Sequence, residues 1–223
     1  RVEQAALDMR LGRRTGLRTI AAPEAGGHWL EDAAPDSRRV ILFLPGGAFM
    51  FSFPHMHAAM VAPWCAALGA RALAVDYRLA PEHPFPAAVD DALAAFADLV
   101  ARAISFGADP GRIALCGDSA GGHLSAMVAL AARDHDGPRP AAIGLIYPAT
   151  DFTATYRSER EFARGLILTQ EDMDWFTTAF IPDPADKEAA SPLRAKSLAG
   201  MPPAYVLTAG FDPLRDEGEA FAA

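Results

Sequence analysis

Short, continuous apolar runs recur along the chain, and each is followed by a loop or by an amphipathic segment. The runs have strand length and lie at 40–44, 71–75, 113–116, 143–147 and 204–208. Runs of this kind are typical of parallel strands that are buried on both faces. Between the runs, apolar residues recur at helical spacing over 57–68, over 86–103 and after residue 119. This alternation predicts an α/β fold with a mainly parallel sheet.

Residues 150–200 interrupt the alternation of strands and helices. The segment is mixed in character, carries prolines at 182, 184 and 192, and places Trp175, Phe176 and Phe180 in one short helical stretch. Long excursions of this kind are typical of insertions above a sheet that serve as lids. We therefore predict a cap insertion at about 150–200.

The first 39 residues contain no apolar run of strand length. Residues 1–20 are basic and weakly amphipathic, and residues 21–39 are rich in Ala, Gly, Pro and charge. For the first part we predict a piece of a lid, with a frayed terminus as the alternative. For the second part we predict a loop with an edge strand around 28–30. The predicted organisation is an N-terminal cap segment at 1–39 and a core at 40–223.

Composition narrows the classes of function. The chain has 223 residues, of which 51% are hydrophobic and 22% charged, as in an ordinary globular domain. A net charge of −8 argues against nucleic acid or an anionic membrane surface as partner, and no apolar run could span a bilayer. Two cysteines, Cys65 and Cys116, make no disulfide framework and predict a cytoplasmic location. Neither zinc spacing nor a phosphate-binding glycine loop occurs, so we expect no metal and no cofactor.

The strand at 113–116 runs into the pentapeptide G-D-S-A-G at 117–121, and the helical pattern follows at once. This is the strand–turn–helix context of a nucleophile elbow, where a sharp turn exposes the serine hydroxyl. Glycines at both ends avoid collisions with neighbouring backbone. A helix beginning after Ser119 would offer N–H groups and partial positive charge to an oxyanion. The pentapeptide alone fits a glycine-rich turn with a capping serine equally well.

Two other loops follow strand ends. Residues 45–49, P-G-G-A-F, carry little side chain at their first positions, as a loop needs if its N–H groups must approach a reacting oxygen. Taken alone, the loop also fits a tight turn without chemical importance. Asp212 follows the last strand, where the active-site loops of open α/β sheets gather. The alternative interpretation of Asp212 is that it forms an Asx turn or a helix cap before Pro213.

Three motifs occur together and in a fixed order: D-Y-R-L-A-P-E-H-P-F-P at 76–86, G-D-S-A-G-G at 117–122 and D-P-L-R-D-E at 212–217. With them the chain resembles, over roughly 40–223, the hormone-sensitive-lipase-like (bacterial family IV) esterases of the α/β-hydrolase fold. The resemblance implies a parallel sheet flanked by helices, with a cap. It implies a serine carboxylesterase that hydrolyses small-molecule esters with short- to medium-chain acyl or aryl groups through an acyl-enzyme. It also implies a homodimer.

The resemblance further implies a Ser–Asp–His triad, with Ser119 as the nucleophile and Asp212 as the acid that orients the histidine. No histidine follows Asp212 in this chain; the six present are His28, His55, His57, His83, His123 and His135. His55 and His57 follow the 45–49 loop and are the candidates for a surrogate base. The loop with Asp212, however, is placed as expected for an acid whose histidine partner comes later in the chain. We expect that base, with a final strand and helix, in a C-terminal segment outside the 223 residues.

The H-G-G-G loop of the family aligns with residues 45–48. By this match the backbone N–H groups of Gly47, Ala48 and Ala120 form the oxyanion hole, with Gly46 in the same loop. Pro45 stands where the motif has histidine, and Ala48 where it has its last glycine. The donors are backbone groups, so the hole survives Ala48 if the local dihedral angles allow it.

Two other functions fit the same scaffold. The family also resembles plant hormone receptors that keep the fold and lack the triad histidine, so a ligand-binding protein is the alternative to an esterase. Amide or lactone hydrolysis is a third reading, because a fold does not determine the substrate.

Overall fold

The apolar runs form the parallel centre of one sheet. The computed structural model describes residues 18–22, 27–31, 38–135 and 137–223. Within them the strands are β1 (Arg18–Ala22), β2 (Gly27–Glu31), β3 (Val40–Leu44), β4 (Arg71–Val75), β5 (Ile113–Asp118), β6 (Ala142–Ile146) and β7 (Ala204–Leu207). The strand order is β1-β2-β4-β3-β5-β6-β7. The five strands β3 to β7 pair in parallel, which confirms the predicted sheet.

The helices of the described part are α1 (Pro54–Leu68), α2 (Ala87–Ala101), α3 (Ala120–Asp134), α4 (Arg157–Glu161), α5 (Gln170–Phe180) and α6 (Arg215–Ala222). Short 3₁₀ turns lie at Ala103–Phe106, Pro110–Arg112, Pro184–Asp186 and Pro192–Arg194. Helix α1 begins three residues before the predicted position, with proline in its first turn, and ends at Gly69 in a left-handed conformation. None of the helices described has the length and apolar character needed to cross a membrane.

Side chains of β3 fill both faces of the sheet. All five residues of this strand are buried. Because successive strand residues point to opposite faces, Leu42 and Leu44 pack into the cluster that contains residues of α2 and α3. Ile41 and Phe43 pack on the other face with residues of α1. The two clusters hold the C-terminal ends of β3 and β5 side by side, where the candidate chemistry lies.

The N-terminal part of the sheet differs from the sequence prediction. Strand β2 confirms the strand expected around 28–30, but it lies between β1 and β4 and pairs antiparallel with both. Residues 18–22 form β1, which overlaps the segment 1–20 predicted to be part of a lid, so the sheet begins before the predicted boundary at residue 40. These strands carry no continuous apolar run because they lie at the margin of the sheet. The lid predicted for residues 1–17 lies outside the described residues.

Candidate active site

Ser119 is the single residue between the end of β5 and the start of α3. Its backbone has φ 52° and ψ −117°, a strained conformation for any residue other than glycine. The amide of Ser119 donates to Ile146 O at 2.8 Å, and its carbonyl accepts from the His123 amide at 3.0 Å. Strand and helix therefore hold the strained turn in place. This is the geometry that the nucleophile elbow requires.

Glycines on both sides of Ser119 let the elbow pack against the end of β3. A Cβ atom on Gly121 would lie 1.7 Å from Leu44 O and 2.8 Å from the carbonyl carbon of Pro45. A Cβ atom on Gly117 would lie 2.3 Å from the carbonyl group of Gly121. Since these neighbours are backbone atoms, no side chain could be admitted at either position without moving the main chain.

The loop after β3 makes a tight turn beside Ser119. The carbonyl of Gly47 accepts hydrogen bonds from the amides of Met50 at 2.9 Å and Phe51 at 2.8 Å. Gly47 has φ 138°, and a Cβ atom there would lie 2.1 Å from Phe51 O. Ala48 adopts φ 52°, a left-handed conformation that alanine tolerates at some cost. The loop thus keeps its turn with alanine at this position.

The amides of this loop divide into two kinds. Gly46 N–H donates to Asp118 Oδ1 at 2.9 Å and is used within the protein. In the described part of the chain, no acceptor engages the amides of Gly47, Ala48 or Ala120. Three N–H groups, two in the loop and one at the start of α3, therefore have no partner in the described part of the chain.

Asp212 follows β7 on a loop that leads into α6. Its Oδ1 accepts a hydrogen bond from Leu214 N at 2.9 Å, which is the Asx turn foreseen as the alternative reading. Burial raises the pKa of Asp212, and the hydrogen bond from Leu214 opposes that rise. Burial also raises the pKa of Tyr147, and the charges of Asp118 and Asp212 add to it.

Ser119 opens into a cavity of about 330 Å³. Ala48 and Ala120 line it beside the serine, and Leu214 lines it from the acid loop. Asp212 itself does not reach the cavity wall. Helix α5, within the segment predicted as a cap insertion, contributes Phe176 and five other lining residues: Gln170, Met173, Asp174, Thr177 and Thr178. The structure brings the predicted nucleophile, two of the predicted hole residues and the inserted segment to one space.

Besides Asp174 on α5, three other acids that the sequence analysis did not single out line this cavity: Asp151, Glu159 and Glu217. Arg194 pairs with Asp151, and Tyr156 OH donates to its Oδ2 at 2.7 Å. Burial acts to raise the pKa of Asp151, but the hydrogen bonds from Arg194, Thr153 and Tyr156 outweigh it and the pKa is lowered. Burial raises the pKa of Glu159. No spacing or motif in the sequence marks Asp151 or Glu159.

Glu217 ties α6 to the loop after β6. It is 3% exposed, and its Oε1 accepts from Thr150 N at 2.6 Å, while Thr150 Oγ1 donates to its carbonyl at 2.9 Å. Burial raises the pKa of Glu217 well above its ordinary value. The residue belongs to the 212–217 motif, so the motif itself is the signal that could have identified it.

Two buried histidines lie near the elbow but do not line the cavity. His123 is fully buried with its ring edge-on to Phe49 at 5.1 Å and to Phe180 at 5.9 Å, and burial lowers its pKa to about 3. A histidine with this pKa stays neutral and is a core residue at neutral pH. His57 Nε2 lies 3.4 Å from Asp118 Oδ1. Of the side chains described, no histidine reaches the cavity with Ser119; the His55 side chain is not among them.

Metal ligands do not gather in the described part of the chain. Within it, no group of three or more His, Cys, Asp or Glu residues has the geometry to hold a metal ion.

A parallel sheet that ends in a strained serine between strand and helix is the arrangement of the α/β hydrolases. A family model described as the alpha/beta hydrolase fold matches residues 41–223, and the chain belongs to that family. Carboxylic ester hydrolase LipN of Mycobacterium tuberculosis is 48% identical over 192 residues, which cover 82% of this chain and 51% of LipN. Carboxylesterase NlhH of the same species is 38% identical, covering 84% of this chain and 60% of NlhH.

Solved structures agree with the sequence relatives. A hyperthermophilic esterase from Pyrobaculum calidifontis superposes with a TM-score of 0.87 at 34% identity, covering 100% of this chain and 77% of the esterase chain. An ester hydrolase from the metagenome of Lake Arreo gives a TM-score of 0.84 at 37% identity, covering 99% and 75%. These findings confirm the resemblance to the hormone-sensitive-lipase-like esterases. The chain spans between about half and three fifths of the two curated relatives, 51% and 60% of their lengths.

The buried carboxyl group of Glu217 makes stability depend on pH. Its folded-state pKa is raised above the ordinary value, so the folded chain binds this proton more tightly than the unfolded chain. The stabilisation is complete below pH ~4.3 and is lost as the pH rises through the folded-state pKa. Glu217→Gln keeps an oxygen acceptor for Thr150 and cannot ionise. We expect urea denaturation between pH 5 and pH 8 to show a smaller loss of unfolding free energy in Glu217→Gln than in wild type.

Glu219→Gln on the same helix is the control, because Glu219 is exposed. It should keep the wild-type pH dependence. Glu159 and Asp212 shift in the same direction but are present in all three proteins, so the difference reports on Glu217 alone. Parallel curves for wild type and Glu217→Gln would contradict the prediction.

Proposed function

We propose that the chain forms the main part of a serine carboxylesterase that acts on short- to medium-chain acyl or aryl esters through an acyl-enzyme on Ser119. One arrangement carries the proposal: the strained Ser119 shares a cavity wall with Ala48 and Ala120, whose amides have no internal acceptor among the described residues. The ester hydrolases among its relatives support the same reaction class.

In the proposed reaction, Ser119 Oγ attacks the carbonyl carbon of the ester, and its proton passes to the base. The carbonyl oxygen becomes an oxyanion that accepts hydrogen bonds from the amides of Gly47, Ala48 and Ala120. These donors stabilise charge that develops only in the transition state, which is where binding accelerates a reaction. The alcohol leaves with the proton, and water then releases the acid by the reverse sequence. Gly46 is assigned a supporting role, because Asp118 already accepts its N–H.

The proposed base is a histidine outside the 223 residues, oriented by Asp212. Asp212 Oδ1 is held by Leu214 N, which fixes the carboxylate at the end of β7. Strand β7 is the outer strand of the described sheet, and Tyr205 and Leu207 on it are 67% and 39% exposed. A further strand paired with β7, together with the helix that is expected with it, would cover these side chains and bring the loop after that strand to Asp212.

Cavity size favours small substrates. A volume of about 330 Å³ is at the lower end of the range for small-molecule sites. Phe176, Met173 and Leu168 give one side of the cavity an apolar surface for an acyl or aryl group. The α5 segment is assigned the role of a cap that excludes water from the acyl-enzyme.

Labelling with a fluorophosphonate tests the esterase against the ligand-binding alternative. In the full-length protein an activated serine forms a covalent phosphonyl adduct, whereas a serine without a base labels poorly. We expect one adduct per chain, located on Ser119 by peptide mass spectrometry, and turnover of p-nitrophenyl butyrate that is lost in proportion to labelling. The 223-residue chain alone is expected to label more slowly.

A full-length protein that binds small esters but neither labels nor turns over p-nitrophenyl butyrate would refute the esterase and support the binding protein. Full activity of the 223 residues alone would refute the external base. The names of the relatives do not favour the binding protein. The expected homodimer, the cytoplasmic location and the lack of a cofactor stay predictions.

A further inference from the structure

Asp118 is a buried acid directly before the nucleophile, and its carboxylate reaches across to the loop after β3. It is 7% exposed, and its Oδ1 accepts the Gly46 N–H at 2.9 Å, from a residue 72 positions earlier in the chain. The ladder between β3 and β5 ends where Leu44 pairs with Gly117. The contact therefore extends the pairing one step beyond the sheet and joins the loop at 45–49, called the oxyanion loop below after its proposed role, to the elbow.

His57, on helix α1, approaches the same carboxylate. It is 1% exposed, and its Nε2 lies 3.4 Å from Asp118 Oδ1. The ring of Phe43 lies 5.6 Å from the imidazole, and that of Phe53 lies 6.5 Å from it. Core packing therefore fixes where the imidazole lies. Among the described residues neither of its ring nitrogens makes a hydrogen bond, and Asp118 Oδ1 is the carboxylate oxygen that lies beside the unpartnered Nε2.

A second hydrogen bond holds the peptide group between Pro45 and Gly46. Tyr77 OH donates to the Pro45 carbonyl at 2.6 Å. With Asp118 on the Gly46 amide, both polar groups of the Pro45–Gly46 peptide bond are held. A Cβ atom on Gly46 would lie 2.3 Å from Asp118 Oδ2, so the contact requires glycine. The next amides, those of Gly47 and Ala48, are thereby placed while they stay unused.

The negative charge of Asp118 does not by itself favour the proposed reaction. A carboxylate one residue from the nucleophile repels a developing oxyanion, by an amount that grows as water is excluded. Its benefit must come from geometry, since a shift of about 1 Å in a catalytic donor can cost ~100-fold in rate. The Gly46 N–H that donates to the carboxylate reduces this repulsion and fixes the direction of the carboxylate at the same time.

We propose that Asp118 and His57 are positioning residues: Asp118 sets the oxyanion loop against Ser119, and His57 holds the Asp118 carboxylate towards Gly46. The proposal rests on the esterase function for its consequence in catalysis. Its structural part concerns the Gly46 amide alone and can be measured without activity.

Kinetics of full-length Asp118→Ala and Asp118→Asn test the consequence. Asparagine keeps an oxygen acceptor for Gly46 N–H, and alanine does not. With concentrations set by fluorophosphonate titration, we expect kcat for p-nitrophenyl butyrate to fall roughly 100-fold in Asp118→Ala, with KM changed by less than about threefold. Asp118→Asn should stay within roughly tenfold of wild type. A trifluoromethyl ketone, whose adduct carries an oxyanion, should lose affinity in the same order.

Hydrogen exchange tests the contact between the Asp118 carboxylate and the Gly46 amide, which we call the clamp. Exchange of the Gly46 amide should be at least about tenfold faster in Asp118→Ala than in wild type, and near wild type in Asp118→Asn. His57→Phe keeps a ring between Phe43 and Phe53 and leaves Asp118 in place. It should accelerate Gly46 exchange as well, and it serves where Asp118→Ala fails to fold. Asp98→Asn on α2, which removes a charge paired with Arg102, is the control and should change neither readout.

The outcomes separate the two proposals. Wild-type protein without turnover, but with Gly46 exchange that depends on Asp118, refutes the esterase and leaves the clamp standing. Normal turnover with unchanged Gly46 exchange in Asp118→Ala overturns the clamp. Equal kinetic loss in Asp118→Ala and Asp118→Asn, with Gly46 still protected, shows that the charge matters and also overturns it. If the Gly46 amide exchanges at the wild-type rate in a folded His57→Phe variant, His57 is not a positioning residue.

Discussion

Ser119→Ala in the full-length protein is expected to lower kcat/KM for p-nitrophenyl butyrate by roughly 10⁴-fold or more. Ser119 is the serine that lines the cavity beside Ala48 and Ala120, and alanine removes the hydroxyl oxygen on which the proposed acyl-enzyme forms. The free amides and the cavity remain, so substrate still binds and KM changes little. Steady-state kinetics on wild type and variant give both numbers.

Two companion variants make this result specific. Ser105 is exposed, with its Oγ donating to Arg102 O, and Ser105→Ala should keep wild-type kinetics. Ser119→Gly should be as inactive as Ser119→Ala but more stable, by roughly 1 kcal/mol, because glycine relieves the strain at φ 52°. Activity of Ser119→Ala within tenfold of wild type would refute Ser119 as the nucleophile.

Gly121→Ala is expected to lower the free energy of unfolding by about 3 kcal/mol or more. The added Cβ would lie 1.7 Å from Leu44 O and 2.6 Å from its carbonyl carbon, both backbone atoms. Relief requires α3 to move away from the end of β3, which separates the elbow from the oxyanion loop. The melting temperature should fall by roughly 6–12 °C for a domain of this size, and the remaining folded protein should turn over esters more slowly.

Gly137→Ala is the matched control. A Cβ atom there meets nothing within 4 Å, and its φ lies outside the left-handed region, so the melting temperature should change by less than about 2 °C. Calorimetry on both variants measures the difference. If Gly121→Ala melts within about 2 °C of wild type, the close packing of elbow and strand is not as the structure shows it.

Much of the candidate site could be predicted because it rests on local rules. A buried strand, a glycine-flanked serine and a helical pattern in succession are a local signature, and the structure has β5, Ser119 and α3 at those positions. The loop at 45–49 and Asp212 were found in the same way, from their places at strand ends. The unused amides of Gly47 and Ala48 agree with the predicted oxyanion hole, although Asp118 engages the Gly46 amide.

Contacts between distant parts of the chain could not be predicted. Asp118 and Glu217 stood inside the motifs, but their partners, Gly46 and Thr150, lie 72 and 67 positions away. Nothing local distinguishes a buried acid that braces a loop from an exposed one. Strand β1 was missed for a related reason, because it is stabilised by pairing with β2 and carries no apolar run of its own.

The sequence by itself determined the order of the five parallel strands and of helices α1 to α3, the place of the elbow and the small side chains of the 45–49 loop. Periodicity and glycine placement act over a few residues, so they can be read without the fold. Only the tertiary structure decided which amides stay free, which acids are buried and which segment covers Ser119. Those properties depend on which atoms of β3, β5 and α5 meet, and burial and hydrogen bonding arise only at that meeting.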